Sequence, residues 1–167
     1  HCSHFYIVRD GPFAGTMGEG PDAETQGWMT VLVGNSKKEI AAFGNSLLNK
    51  LGMDSIEMGA IIRGVMQCYE HGVLTDDALK KLGARWLRPH WGDIEAQLTM
   101  IQRTARREGI GNVLADGPYP TAEAIGGDAH YWIDTCKRMS EINRSPQKGG
   151  VLNHMVSNRG PDHLRGS

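Results

Sequence analysis

The sequence predicts an all-α fold, an irregular helical domain with glycine-rich loops at both ends. In the middle of the chain, apolar residues recur at steps of three and four, the spacing of one helix face. Glycine contributes 22 of the 167 residues, and the two ends are glycine-rich, polar and without apolar periodicity. The sequence contains no internal repeat. We therefore expect a helical body between two irregular segments.

The first half of the chain is predicted to contain two long helices. Residues 1–34 are predicted to be irregular, apart from a short strand at 5–8. The first long helix begins near Ser36 and ends at Gly52, since glycine accepts the left-handed conformation that ends helices. Asp54 and Glu57 form a capping-box variant that begins the second helix, which ends at Gly72. The apolar faces are Ile40, Phe43, Leu47, Leu48 and Leu51, then Met58, Ile61, Ile62, Val65, Met66 and Tyr69.

The second half is predicted to contain shorter helices. Thr75 caps a helix over 76–82, and Asp93 caps one that runs to about residue 108. One short helix follows Thr121, and another covers about 128–139. From residue 143 onward the chain is predicted to be irregular, apart from one turn near 151–155. The buried face of the helix that follows Asp93 is predicted to be Ile94, Leu98, Ile101 and Ala105.

Composition excludes several classes of function. The net charge is −1 with acidic and basic residues interspersed, so we expect neither a nucleic-acid partner nor an anionic membrane. No apolar run is long enough to span a membrane. Three widely spaced cysteines, Cys2, Cys68 and Cys136, argue against a disulfide framework and for a reducing, cytoplasmic compartment. Cys68 and Cys136 are interpreted as small buried apolar residues.

The last residues of the chain carry several polar and charged side chains. Residues 158–166 hold an imidazole, a carboxylate and two guanidiniums between Gly160, Pro161 and Gly166. Such a loop can bring these groups together for a ligand, or it can be a solvated surface turn. The chain begins with His1 rather than methionine and ends just after this loop, so we expect a piece of a longer protein.

A second polar segment, Gly18 to Thr25, carries three carboxylates. Asp22 can cap a helix that has Glu24 in its first turn, where anions are stabilising. This explains one or two of the acids. It does not explain a glutamate directed at the apolar run 28–32, where removal from water would suit a carboxyl group to acid–base chemistry.

Taken in order, five segments resemble motifs of the aldehyde:ferredoxin oxidoreductase family of tungsten-pterin enzymes. Each motif alone is weakly specific, whereas five in the family's order are strongly specific. Cys2 matches the last cysteine of C-x-x-C-x-x-x-C, Gly18 to Thr25 resembles E-G-P-E-x-E-[ST], Asn49 to Asp54 resembles the first D-x-x-G-L-D, Arg107 to Gly117 resembles R-E-G-[FI]-G-x-x-L-A-E-G, and Asn158 to His163 resembles N-R-G-x-x-H.

The resemblance implies cofactors and roles for individual residues. It implies a tungsten (or molybdenum) bis-pterin and a [4Fe–4S] cluster, with Cys2 as one of the four thiolate ligands of the cluster. Glu24 and His163 would be the catalytic residues beside the metal. The pterin-contacting residues would be Asn49, Gly52, Met53 and Asp54.

The resemblance also implies an activity and absent parts. The enzyme would oxidise an aldehyde to a carboxylic acid and pass the electrons to ferredoxin or a similar carrier. Residues 1–142 would be most of the family's first helical domain, and 143–167 the truncated start of the next. An N-terminal β domain and a C-terminal helical domain would complete the site, so we expect the fragment alone to be inactive.

Departures from the family pattern indicate a divergent branch. Asn49 and Met53 replace the aspartate and leucine of the pterin motif. Phe43 and Ser46 occupy positions where some members have E-x-x-H iron ligands, so no such iron is expected. The segment 145–147 stands where members often have D-P-R. A branch with these changes could act on a substrate other than an aldehyde, such as an aromatic thioester.

Two alternative hypotheses for the function do not involve tungsten. A helical binding or regulatory domain could keep the scaffold without redox chemistry, although it would have no reason to keep both Glu24 and His163. A zinc protein would use His1, Cys2, His4 and His163. The zinc hypothesis is disfavoured because structural zinc sites usually present two pairs of ligands close in sequence, and this chain has only one such pair.

Overall fold

The computed structural model describes residues 4–140 and 148–160, and it confirms a predominantly helical fold. The predicted domain boundary at 142/143 lies outside the described residues and stays a prediction. Within the described residues the helices are α1 (Ala23–Met29), α2 (Lys38–Leu51), α3 (Ser55–Glu70), α4 (Asp76–Lys81), α5 (Ile94–Arg106), α6 (Gly111–Leu114), α7 (Pro118–Ile125), α8 (Ala129–Trp132) and α9 (Lys148–Val156), with a 3₁₀ turn at Val31–Val33.

Two short antiparallel hairpins accompany the helices. Strands β1 (Phe5–Ile7) and β2 (Met17–Glu19) confirm the short strand predicted near the start of the chain. Strands β3 (Thr135–Cys136) and β4 (Met139–Ser140) form the second hairpin.

The second hairpin corrects the helix predicted over about 128–139, because α8 ends at Trp132. Lys137 and Arg138 make the turn with φ angles of 53° and 67°. Two-residue hairpin turns require such angles, which usually call for Asn or Gly, so Lys137 and Arg138 do not indicate a hairpin from sequence. A contact between the Ser140 hydroxyl and the Glu57 carboxylate holds this hairpin against α3.

The predicted helix caps are confirmed. Each of four side chains accepts a hydrogen bond from the backbone N–H three residues later: Asp22 from Thr25 (2.7 Å), Asp54 from Glu57 (2.8 Å), Thr75 from Ala78 (3.2 Å) and Asp93 from Ala96 (2.9 Å). Gly52 ends α2 in the left-handed conformation, with φ 68°. The polar ends of these helices are therefore fixed by local sequence.

The core is built around α3. Its predicted apolar face is confirmed, since Met58, Ile61, Ile62, Val65 and Met66 are all buried. Helix α1 packs against this face through Trp28 and Met29, both buried. The two helices approach closely at Gly59, where an added methyl group would overlap Trp28 Cβ.

The buried face of α5 differs from the prediction. Ala105 is exposed, and Ile94 and Leu98 are half-buried. Gln97 is fully buried instead, because its amide bonds to the end of α1, and the buried face is completed by Ala96, Met100, Ile101 and Thr104. Periodicity located the helix correctly, and the prediction is confirmed for Ile101, but it is wrong for Ala105 and missed Gln97.

Cys68 is buried, as predicted, whereas Cys136 is only half-buried. Among the residues that the structure describes, no helix is both long enough and apolar enough to cross a membrane.

Candidate functional site

Glu24 lies in the first turn of α1, which the Asp22 cap begins. Its side chain is removed from water, with only 5% of the residue exposed. This burial agrees with the expectation that the Glu24 carboxyl group is removed from water. Its direction toward the apolar run 28–32 and its catalytic role stay predictions.

A hydroxyl pair connects the Glu24 segment to the predicted pterin motif. Thr25 Oγ1 lies 2.7 Å from Ser55 Oγ, and either hydroxyl can be the donor. Thr25 directly follows Glu24, and Ser55 directly follows Asp54. The first turns of α1 and α3 are therefore neighbours, although they are 30 residues apart in sequence.

The loop before Glu24 is held by side chains of other elements. Asn45, buried in α2, donates from Nδ2 to the carbonyl oxygen of Glu19 at 2.9 Å. Gln26 donates from Nε2 to the carbonyl oxygen of Pro21 at 2.9 Å. These bonds fix the path of the backbone that leads into Glu24.

The far end of α1 is held as firmly. The carbonyl oxygen of Met29 accepts from Gln97 Nε2 and from Asn35 Nδ2, each at 3.1 Å. Asn35 also donates to Gln97 Oε1 at 3.2 Å. Because buried amides need such partners, this network ties α1 to α5.

The predicted pterin loop lies open at the surface between α2 and α3. Asn49, Gly52 and Asp54 are exposed, and Met53 is half-buried. Apart from its neighbours in the chain, no described residue has an atom within 4 Å of the position that a methyl group on Gly52 would take. A flat group can therefore approach this backbone directly.

A cavity of about 460 Å³ brings two predicted motifs together. Met53 and Asp54 line one side of it, and the segment that begins at Arg107 lines the other. Arg107 pairs with Asp116 at 2.8 Å. Its neighbour Arg106 lines the same cavity and forms no ion pair with any residue that the structure describes.

Gly160, three residues before His163, packs against the hairpin that contacts the start of α3. Gly160 is buried with φ 109°, and a methyl group on it would lie 3.0 Å from Cys136 Sγ in β3. The hairpin of β3 and β4 contacts Glu57 in the first turn of α3. His163 itself lies outside the described residues, as does Cys2, so their predicted roles stay predictions.

Two residues of this region were missed by sequence reasoning. Glu57 was assigned to the capping box, but its carboxylate contacts Ser140 rather than the start of its own helix. Arg106 lies in the last turn of α5, where a positive charge is favourable for any helix and so does not by itself indicate a site. Its position directly before the R-E-G motif was the available signal.

Within the described ranges, no group of three or more His, Cys, Asp or Glu residues is placed to hold a metal ion. Of the residues proposed for a zinc site, only His4 is described, and it is exposed.

A family model described as "Aldehyde ferredoxin oxidoreductase, domains 2 & 3" matches residues 1–167. The chain is 30% identical over 125 residues to the aliphatic sulfonate oxidoreductase, WOR-like subunit, of Pyrococcus furiosus, which covers 75% of the chain and 19% of that protein. It is 29% identical over 150 residues to a tungsten-containing aldehyde ferredoxin oxidoreductase of the same organism. This match covers 88% of the chain and 24% of that protein. A protein of that name from Pyrococcus abyssi is 26% identical over 148 residues, with the same coverage. The chain thus spans about a fifth to a quarter of the length of these relatives.

Proposed function

Because the chain belongs to the aldehyde ferredoxin oxidoreductase family, we propose that it is part of a tungsten- or molybdenum-pterin, iron–sulfur oxidoreductase that converts aldehydes to carboxylic acids. One observation carries the proposal. The first turn of α1, with Glu24, lies beside the first turn of α3, which follows the pterin motif, and the two Oγ atoms that join them are 2.7 Å apart. The proximity of the buried Glu24 to the loop that we propose to contact the pterin supports this function.

The residues at this loop fit a pterin. A pterin ring presents adjacent N–H donors, which a carboxylate such as the exposed Asp54 can accept. Its phosphate suits a guanidinium, and Arg106 faces the same cavity. Asn49 replaces the family's aspartate, so it keeps hydrogen-bonding capacity and loses charge. Gly52 leaves the approach open.

The cluster and the metal require residues beyond the described ranges. We propose Cys2 as one thiolate ligand of a [4Fe–4S] cluster, which needs four. When bound, the metal and pterins supply the two-electron acceptor for the reaction.

The chain's own residues would supply position and proton transfer. Oxidation of an aldehyde to an acid adds one water-derived oxygen and removes two electrons and two protons. We propose that Glu24 orients the water and accepts a proton from it, since its carboxylate is shielded from bulk solvent. His163 would donate a hydrogen bond to the carbonyl oxygen, which polarises the carbon for attack.

Aldehyde is the proposed substrate class because the names of two of the relatives described above include it. The first relative is named for an aliphatic sulfonate, and Asn49 and Met53 depart from the family pattern. We propose ferredoxin, or a similar carrier, as the electron acceptor, also from those names.

The rest of the polypeptide would complete the site as an N-terminal β domain and a C-terminal helical domain. The relatives are four to five times as long as the matched segment. The first hairpin exposes apolar side chains on its outer face, with Phe5 81%, Ile7 53% and Met17 62% exposed. Such a face is typical of one that another domain covers.

Metal analysis of the full-length polypeptide, purified without oxygen, tests this function. We expect tungsten or molybdenum, pterin and about four irons per chain. Acetaldehyde and benzaldehyde should each be tried with benzyl viologen as electron acceptor, with methanesulfonate and a benzoyl thioester as alternative substrates. A protein that contains neither pterin nor iron would refute the redox function and favour the binding or regulatory domain.

A further inference from the structure

We infer that the hydroxyl groups of Thr25 and Ser55 form a positioning pair that fixes the Glu24 carboxylate relative to the pterin loop. The inference rests on the proposed function. It assigns a role in that site to two residues that contact neither the substrate nor the cofactor in the account above.

The contact between Thr25 and Ser55 has the geometry of a hydrogen bond. An O···O separation of 2.7 Å is typical of a hydroxyl–hydroxyl hydrogen bond. Thr25 is 4% exposed and Ser55 is half-buried. Because water has little access to Thr25, a hydroxyl there needs a protein partner, and loss of Ser55 would leave it without one.

Each residue of the pair is next in sequence to a residue of the proposed site. Thr25 follows Glu24, the proposed base, and Ser55 follows Asp54, the proposed pterin contact. One hydrogen bond between side chains therefore joins the two segments that carry these residues. The body of α1 is fixed by Trp28 against Gly59, and its end by Gln97. The Thr25–Ser55 bond adds the corresponding restraint at the first turn, where Glu24 lies.

If the inference is correct, loss of the Thr25 hydroxyl increases backbone motion at the start of both α1 and α3. Thr25→Val in the full-length protein keeps the shape of the side chain and removes the hydroxyl. Amide hydrogen exchange should then become faster in two segments, residues 20–26 and 52–57, although only one of them carries the substitution. Thr25→Ser keeps the hydroxyl and should restore slow exchange in both.

Thr121→Val is the matched control, since Thr121 is also buried, and its hydroxyl donates to the carbonyl oxygen of Gly117 at 2.7 Å and lies 3.5 Å from that of Val113, both outside α1 and α3. It should leave both segments unchanged. If Thr25→Val does not fold, Ser55→Ala removes the same bond from the half-buried side and should give the same exchange pattern. Acceleration confined to the substituted segment in either variant would overturn the inference.

A kinetic comparison separates this inference from the proposed function. With tungsten and pterin contents equal to those of the wild type, Thr25→Val should lower kcat up to about 100-fold and leave KM unchanged, because small displacements of a catalytic group cost up to this much. A fully loaded Thr25→Val enzyme with the wild-type kcat would refute the positioning role alone. Absence of metal and pterin from the wild type would refute the proposed function instead.

Discussion

Gly59 of α3 lies directly against Trp28 of α1, so closely that a methyl group on Gly59 would overlap Trp28 Cβ. Trp28 is 2% exposed and stands four residues after Glu24, one helical turn further along the same helix. The absence of a side chain at Gly59 thus sets how closely α1 approaches α3, and with it the depth at which Glu24 is held.

Gly59→Ala should therefore destabilise the helical domain by ~1–3 kcal/mol, since overpacking a filled contact forces the two helices apart. Hydrogen exchange of the buried amides of α3 in the full-length protein measures this change. Gly149 is also helical, and outside its own helix backbone no atom of the residues that the structure describes lies within 4 Å of an added methyl group. Gly149→Ala should cause no loss of stability, and an equal loss in both variants would contradict the packing argument.

Gln97→Met should cost about 1–3 kcal/mol, because it removes a buried donor and leaves the carbonyl oxygen of Met29 and the amide of Asn35 short of a partner. The apolar replacement is similar in length, so lost hydrogen bonds dominate the effect. Gln102 lies on the exposed side of the same helix, and Gln102→Met should be neutral. The exchange rates of amides in α1 and α5 provide the measurement, and stability equal to that of the wild type would refute the role assigned to Gln97.

Burial raises the pKa of the Cys68 thiol from its usual 9.0 to about 12. Since the folded state holds the proton more tightly than the unfolded state, stability is fully present below pH 9 and declines as the pH rises from about 9 toward 12. We expect Cys68→Ala to flatten this decline, measured as urea midpoints at pH 8 and pH 10.5. Cys136→Ala is the control, and an equal pH dependence in wild type and Cys68→Ala would contradict the prediction.

Glu70 fastens the loop between α4 and α5. Its Oε1 atom accepts the Trp91 backbone N–H at 2.9 Å and lies 3.1 Å from His90 Nδ1. The Trp91 N–H and then His90 hold the pKa of this carboxyl below its usual 4.5. Because the folded-state pKa is lowered, its contribution is present above pH 4.5 and is lost as the pH falls below that value.

Glu70→Gln should accordingly expose the loop at residues 85–92 to limited proteolysis at pH 7, because a neutral amide holds the Trp91 N–H more weakly. The wild type should become susceptible at the same sites only at acidic pH. Glu123 is exposed on α7, and Glu123→Gln should behave as the wild type does. Unchanged cleavage of Glu70→Gln at pH 7 would show that the carboxylate does not hold the loop.

Local chemistry explains which parts of the fold were predictable. The caps Asp22, Asp54, Thr75 and Asp93 and the terminator Gly52 act within a few residues of themselves, so sequence alone located the helix ends. The β3–β4 hairpin was missed because Lys137 and Arg138 lack the usual turn chemistry and the Ser140–Glu57 contact that holds it joins residues 83 positions apart.

The candidate site was predictable to the same extent. The motif around Glu24 and the motif that ends at Asp54 were both recognised. Their proximity follows from tertiary contacts, the packing of Trp28 on Gly59 and the bond between Thr25 and Ser55, which no local pattern shows. The buried position of Gln97 was missed for a similar reason, because its partners come from α1 and from Asn35.

Replacement of Glu24 by glutamine in the full-length protein tests the central claim most directly. Glu24→Gln should keep the wild-type content of tungsten or molybdenum, pterin and iron, and should lose about 10²- to 10⁴-fold in aldehyde turnover, the usual contribution of a general base. Glu19 is exposed at the end of β2, five residues before Glu24, and Glu19→Gln should retain activity. A fully loaded Glu24→Gln enzyme that turns over at the wild-type rate would contradict the account.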